Sequence, residues 1–181
     1  MAISLAVLVL VAATFIPGLE LRASIPVGFF ANIPFLEYEQ SIRGAIGIVP
    51  AIAICFFSNV LVGMLVFWLM GPAEHLLRKW GWFDRVVWPR IVRKQEKLRP
   101  YVDKYGEWGV ALFIGVPLPG TGAYTGAVGA YLLKLDRKRF WVANFAGVLL
   151  AAIAVTAICY LIMAGVVAED SWLRRLFIKQ I

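Results

Sequence analysis

Histidine, cysteine and charged residues are all scarce in this sequence, and the first two shortages exclude whole classes of function. Histidine occurs once, at position 75, and cysteine twice, at positions 55 and 159. A zinc site or a disulfide framework needs several such residues at close spacing, which this chain lacks. Nucleophilic catalysis needs a nucleophile beside a base, and one isolated histidine does not supply that pair. We therefore expect no metal site, no cofactor and no enzymatic activity.

The shortage of charge indicates a membrane protein. Charged residues make up 16% of the chain and hydrophobic residues 61%, with a mean hydropathy of +0.80. An ordinary soluble domain does not have this composition. The uncharged runs are residues 1–19, 23–36, 44–73, 108–133 and 140–168. The last three exceed the roughly 20 residues that span hydrocarbon, so we expect a multi-pass protein whose main partner is the lipid bilayer.

The net charge of +7 does not indicate nucleic-acid binding here. The basic residues lie between the apolar runs, where anionic headgroups and the positive-inside rule account for them. No motif of a nucleic-acid-binding fold accompanies them. We expect no nucleic-acid partner.

One apolar run is broken in its middle. Residues 111–131 read ALFIGVPLPGTGAYTGAVGAY and contain Pro117, Pro119 and four glycines between positions 120 and 129. Proline interrupts the hydrogen bonding of a helix and leaves backbone N–H and C=O groups without helical partners. Each of these groups needs another partner, and lipid offers none. Broken backbone at membrane depth is tolerated where it is buried in protein or lines a cavity, as in the midplane sites of transporters.

The two halves of the chain share the same order of features. At an offset of 98 residues, 13–16 (ATFI) overlays 111–114 (ALFI). Each tetrapeptide is followed by a Pro/Gly-containing break, an apolar stretch, a charged turn and one long apolar span. This order predicts an internal repeat.

Charge placement predicts the orientation of the halves. Segment 74–107 holds nine Lys and Arg residues, and segment 134–139 holds four. Basic loops belong in the cytoplasm, so residues 44–71 should cross from outside to inside. Segment 108–133 must then enter and leave on the cytoplasmic side as a re-entrant hairpin, with residues 1–36 as its external counterpart. The rival topology is four plain crossings, which the prolines disfavour.

The predicted fold is thus an all-α integral membrane protein, an inverted repeat of two re-entrant helical hairpins and two full transmembrane helices. We expect one membrane domain over residues 1–181. Its parts are a first half (1–71), a basic connector (72–107), a second half (108–168) and a C-terminal tail (169–181). In the connector, we expect Pro72 to begin an amphipathic helix on the cytoplasmic surface, and Pro89 to kink or end it.

Glu20 and Arg22 are the candidate site residues of the first half. They lie between apolar runs at the expected hairpin tip, where an ionisable residue is a functional hypothesis by default. The alternative is that both lie at the interface and extend to water. An unwound tip could bring the two side chains together or let each face a different ligand.

The second candidate site is the break of the other hairpin. Its glycines let backbone approach a ligand closely, and a helix starting near residue 121 would aim N–H donors at the tip, a natural place for an anionic group. The alternative is tight helix packing, with Gly126 and Ala130 at the contact. Asn59 and Asn144 could hydrogen-bond across the long helices. The candidate binding residues of this break are Pro117, Pro119, Gly120, Thr121 and Gly122.

Two strings carry a resemblance to a known family, ELRASIPVG at 20–28 and PLPGTGAYTG at 117–126. They resemble the putative small multidrug export family of bacterial and archaeal membrane proteins, which is similar in turn to the DedA (VTT-domain, SNARE-associated Golgi protein) superfamily. The resemblance implies two re-entrant hairpins and two spans, a prokaryotic plasma (inner) membrane location, and a transport or lipid-translocation role. The positions that it carries over are Glu20, Arg22, Pro26, Pro117, Pro119, Gly120, Thr121 and Gly122.

Together these features predict a secondary transporter that exports a small molecule through a midplane site between the hairpin tips, coupled to protons or another ion. Two alternatives remain open. One is a flippase or scramblase for an anionic lipid such as a polyprenyl phosphate, and the other is a membrane scaffold or assembly factor that transports nothing. Because the core is small, we expect a homodimer to enclose the path.

The inverted topology can be tested with single cysteines in a background lacking Cys55 and Cys159. Glu39→Cys should react with an impermeant thiol reagent from outside the cell, and Lys138→Cys only from the cytoplasmic side, because the charged turns that hold them lie on opposite faces. Labelling of both from the same side contradicts the inverted repeat.

Overall fold

The computed structural model describes residues 2–16, 20–30, 46–82, 84–85, 88–117 and 121–165. Over these ranges the chain is helical and contains no β-strand, as the sequence predicts. The six helices are α1 (Ala2–Phe15), α2 (Glu20–Phe30), α3 (Ile48–Arg78), α4 (Trp88–Gly115), α5 (Ala123–Leu132) and α6 (Arg137–Met163).

Two of these helices are long and apolar enough to cross a membrane. They are α3, with 31 residues, and α6, with 27 residues. Each contains most of one long uncharged run of the sequence, and their outward faces carry large exposed apolar side chains such as Phe57 and Ile153. Such faces are costly in water and suited to lipid. This finding confirms the two long apolar helices that the sequence predicts, and it agrees with the expectation of a membrane protein.

The third long run is interrupted, as its prolines predict. Helix α4 ends at Gly115 and α5 begins at Ala123. Helix α5 has 10 residues and α2 has 11, so each is only about 15 Å long at 1.5 Å per residue, about half the hydrocarbon thickness. Neither helix crosses a bilayer alone.

The short helices reach opposite ends of the α3–α6 pair. At one end, Phe29 of α2 makes an edge contact with Tyr160 near the end of α6, with ring centroids 5.3 Å apart. At the other end, the Tyr131 hydroxyl of α5 donates a 2.7 Å hydrogen bond to Glu74 of α3. These contacts are made near the last residues of α2 and α5. The first residues of the two helices therefore point towards each other.

Glycines allow α4 to pack closely along α6. A Cβ atom at Gly147 would lie 2.7 Å from the carbonyl oxygen of Ala111, and one at Gly115 would lie 2.9 Å from Cβ of Leu150. Both distances are shorter than van der Waals contact. Helix α5 then packs on α4, with Gly126 against Ile114. Gly126 therefore lies at a close helix contact in the structure, and Ala130 is fully buried on the same helix.

The connector differs from its prediction at both prolines. Pro72 lies inside α3, which continues to Arg78, and does not begin a separate helix. Pro89 is the second residue of α4 and does not end a helix. In the first turn a missing N–H costs little, because it would have no intrahelical partner. The break within α4 falls instead at Gly106, whose φ is 48° and which needs glycine for that reason.

The packing of α5 predicts opposite effects for two glycines three residues apart. Gly126→Ala should destabilise the protein by about 1–3 kcal/mol, because the new methyl group overlaps Ile114. Gly129 has open space around its Cβ position, so Gly129→Ala should be neutral or stabilising by up to about 1 kcal/mol. Equilibrium unfolding in mixed micelles measures both, and equal effects would contradict this packing.

Candidate functional site

The breaks of the two halves meet, and Glu20 lies at the centre of the contact. It is the first residue of α2 and is only 6% exposed. Its backbone φ of 48° lies in the left-handed region, which costs an L-residue about 1–2 kcal/mol. A charged residue held in this conformation inside an apolar chain must have strong compensating contacts.

Those contacts come from the first turn of α5. One Glu20 carboxylate oxygen accepts the backbone N–H of Ala123 at 2.8 Å, and the other accepts that of Tyr124 at 3.2 Å. Helix α5 has no cap of its own, because its N-cap residue is Gly122. Glu20 therefore caps a helix 103 residues away in sequence. Its charge also suits the positive end of the helix dipole.

Gly122 is glycine because the carboxylate occupies the place of its side chain. A Cβ atom there would lie 2.7 Å from the Glu20 carboxyl carbon. The backbone of Gly122 is extended, so its conformation does not require glycine. The requirement is space.

Arg22 binds the other side of the same break. One of its Nη atoms donates to the carbonyl of Val116 at 2.9 Å and to the Thr121 hydroxyl at 2.6 Å. Thr121 in turn donates to Val116 at 2.7 Å. Val116 follows directly after α4, where carbonyls lack intrahelical partners and favour a cation. Glu20 and Arg22 thus face different partners, one at the start of α5 and one at the end of α4.

Tyr124 makes a contact in the opposite direction, from the second half to the first, and it is not among the candidates that the sequence indicates. Its hydroxyl donates a 2.7 Å hydrogen bond to the carbonyl of Phe15, the last residue of α1. Each half therefore caps a helix end of the other. The available signal was a phenol placed among small residues inside an apolar run, since buried tyrosine hydroxyls usually find a partner.

The other residues selected from the sequence are four residues of the candidate site and Asn144. Pro117 is half-buried just after α4, and Pro26 is buried inside α2, six residues beyond Glu20. Pro119 and Gly120 lie outside the described residues. Asn144 donates a 2.9 Å hydrogen bond to the carbonyl of Val60, so its predicted bond across the long helices is confirmed.

The sequence predicts a helix start near Thr121 that could bind an anionic group. The helix begins at Ala123, and the group that accepts from its first N–H donors in the structure is the protein's own Glu20 carboxylate. Binding of an anionic ligand stays a prediction. Within the described ranges, no group of three or more His, Cys, Asp or Glu residues could hold a metal ion. The chemistry that this site supports is the making and breaking of hydrogen bonds to one carboxylate.

Comparison with known proteins identifies the family. A family model described as "Putative small multi-drug export protein" matches residues 20–154, which is most of the chain, and the chain belongs to this family. The matched range begins at Glu20, inside the first break, and includes the whole of the second. No curated protein and no solved structure gives a significant match. The family description is that of a transporter, in agreement with the expected membrane role, whereas the relation to the DedA superfamily stays a prediction.

The contact between Tyr124 and Phe15 predicts a measurable loss on removing one hydroxyl. Tyr124→Phe should lower the free energy of unfolding by about 0.5–1.5 kcal/mol, the usual net contribution of such a hydrogen bond. Tyr160→Phe is the matched control, because the Tyr160 hydroxyl forms no hydrogen bond within the described residues. Equal stability of the two variants would show that the Phe15 contact is unimportant.

Proposed function

We propose that this member of the putative small multi-drug export protein family is a secondary transporter that exports a small molecule through a site between two re-entrant hairpins. The first hairpin comprises α1 and α2, and the second comprises the last part of α4 together with α5. The hairpins enter from opposite membrane faces. Their tips meet where Glu20 and Arg22 contact the second break.

Helix lengths and packing support a site at the bilayer midplane. The short helices reach only about halfway across the hydrocarbon. Gly115, at the tip of the second hairpin, packs against Leu150, which lies at the centre of α6. If α6 spans the membrane, the tip lies near its middle.

The observation that carries the proposal is the double hydrogen bond from α5 to the Glu20 carboxylate. An ionised carboxylate offers acceptors for both N–H groups and a charge that suits the start of a helix. A protonated carboxyl has lost that charge and one acceptor position. Protonation of Glu20 therefore weakens the contact between the tips, and deprotonation restores it.

This change couples proton binding to opening. With Glu20 ionised, the tips are joined and the site is open to one membrane face only. When Glu20 takes up a proton, α5 loses its cap and the second tip can separate from the first. Arg22 remains bound to the end of α4 and holds the carbonyls of that helix. Proton-driven export requires only that the site open to opposite faces in the two states.

The coupling role of Glu20 can be tested in liposomes that carry a pH gradient, a proton-sensitive dye and a panel of cationic drugs. Glu20→Gln should abolish gradient-driven transport, because a neutral amide does not take up a proton at this place. It should cost about 1–2 kcal/mol of stability, because the amide oxygen replaces only part of the cap. Unfolding measurements on the same preparation check that the variant remains folded.

Glu74→Gln is the matched control for this experiment. Glu74 also accepts a hydrogen bond in the protein, from Tyr131, but it lies at the far end of α3. This variant should transport normally. A fully active Glu20→Gln transporter would contradict the coupling role, and loss of activity in both variants would make the effect non-specific.

One observation favours a second candidate function, translocation of an anionic lipid. The two N–H donors of α5 and the Arg22 guanidinium form a set that could bind a phosphate in place of Glu20. Lipid phosphates in the same liposome panel separate the two functions. Proton-independent movement of a lipid phosphate, with no drug transport, would favour the lipid.

A further inference from the structure

A cavity of about 510 Å³ lies where α3 and α5 end and α6 begins. Part of its lining is apolar and comes from Phe67 and Leu135, both of which are buried. The basic side chains that line it are exposed. A cavity with an apolar wall and a charged rim suits a ligand that has both an apolar and a charged part. We call it the basic cavity.

The basic cavity lies at the level of the lipid headgroups. Residues 48–73 of α3 are uncharged and long enough to span the hydrocarbon, so in a membrane Glu74 and Arg78 lie just beyond it. Trp80 and Trp82 follow within four residues of the end of α3, and each is 70% exposed. Exposed tryptophan favours the headgroup level. The basic cavity is therefore at the membrane surface, at the other end of α5 from the contact with Glu20.

Three basic side chains reach the basic cavity from three parts of the chain. They are Arg78 at the end of α3, Lys134 in the turn after α5 and Arg137 at the start of α6. Arg78 is paired with Asp84 at 2.9 Å and with Glu74 at 3.6 Å. Lys134 and Arg137 form no ion pair within the described part of the chain. These two cations are therefore available to a ligand.

The carboxylates of the lining leave a surplus of positive charge. Glu74 is occupied by Arg78 and by the Tyr131 hydroxyl, which donates to it at 2.7 Å. Asp136 is the other carboxylate, so three cations face two anions and one positive charge remains. Residues 137–139 add to it, because all three are basic and the first turn of α6 contains no acidic residue. Like charges at the positive end of a helix dipole are unfavourable unless an anion lies near them.

We propose that the basic cavity binds the phosphate group of an anionic phospholipid, with Lys134 and Arg137 as its cationic partners. A phosphate diester carries a single negative charge, which matches the surplus, and lysine and arginine are the usual side chains that bind it. The apolar wall at Phe67 suits the acyl end of the same lipid. Free phosphate ion has the same chemistry without the chains, and the experiment separates the two sources. This inference does not depend on the coupling role of Glu20.

Lys134 stands where glycine would be more stable. Its φ is 56°, in the left-handed region, and it is the second residue after α5. Glycine adopts this conformation at no steric cost and is the usual residue at this place beyond a helix end. Lys134→Gly therefore removes the cation and relieves the backbone at once. Binding and stability should change in opposite directions in this variant.

The experiment measures melting temperatures of the whole chain in nanodiscs of phosphatidylcholine, with and without phosphatidylglycerol. Phosphatidylglycerol should raise the melting temperature of the wild type by about 2–6 °C, because a ligand of the folded state stabilises it. Lys134→Gly should melt higher than the wild type in phosphatidylcholine alone and gain little from phosphatidylglycerol. Arg137→Gln should also lose most of the gain.

Lys138→Gln is the matched control. It removes the same charge from the residue next to Arg137, but Lys138 does not line the basic cavity. This variant should keep the full gain from phosphatidylglycerol. A gain that is equal in the wild type and in Lys134→Gly, or one that falls as much in Lys138→Gln as in Arg137→Gln, would overturn the inference.

Inorganic phosphate added to phosphatidylcholine nanodiscs tests the other source. If only phosphatidylglycerol gives the gain, the ligand is the lipid headgroup. If inorganic phosphate gives the same gain with the same dependence on Lys134 and Arg137, the basic cavity binds phosphate as the free ion. No gain from either would refute the site. No transport measurement enters, so each of these results leaves the proposed function to its own test.

Discussion

Helix ends inside an apolar environment need hydrogen-bond partners, and this constraint shapes the molecule. The first N–H groups of α5 and the last carbonyls of α1 and α4 have no partner within their own helices. In water these groups would be solvated at little cost. In lipid each must find a partner within the protein. Here the partners come from the opposite half of the chain, through Glu20, Arg22 and Tyr124.

This exchange explains several local features that otherwise look unfavourable. Glu20 adopts a strained backbone conformation, but two hydrogen bonds to its charge offset the cost. Gly122 has no side chain because the Glu20 carboxylate fills that space. The Thr121 hydroxyl accepts a hydrogen bond from Arg22 and donates one to the carbonyl of Val116. The tip of each half is thus incomplete without the other, so any separation of the tips exposes polar groups that need new partners.

The same constraint applies to the buried polar side chains of the long helices. Asn144 has a partner in the Val60 carbonyl, and its close approach is possible because Gly63 has no side chain. The amide oxygens of Asn59 and Asn144 have no hydrogen-bond partner among the described residues, although both side chains are buried.

The amino-acid sequence by itself determined the helical class, the two long apolar helices and the interruption of the run at residues 108–133. These depend on local properties, namely uninterrupted hydrophobicity and the inability of proline to continue a helix. It also pointed to Glu20, Arg22, Thr121 and Gly122 as candidate site residues, because polar or glycine residues at breaks in apolar runs need an explanation. The end of the first long helix was mispredicted, since Pro72 is tolerated inside α3.

Only the tertiary structure decided which groups pair. The partners of Glu20 lie more than a hundred residues away, and one of the key groups is the hydroxyl of Tyr124, which no local pattern connects with Phe15. Pairing across such distances depends on how the helices pack, and helix packing is a property of the whole chain.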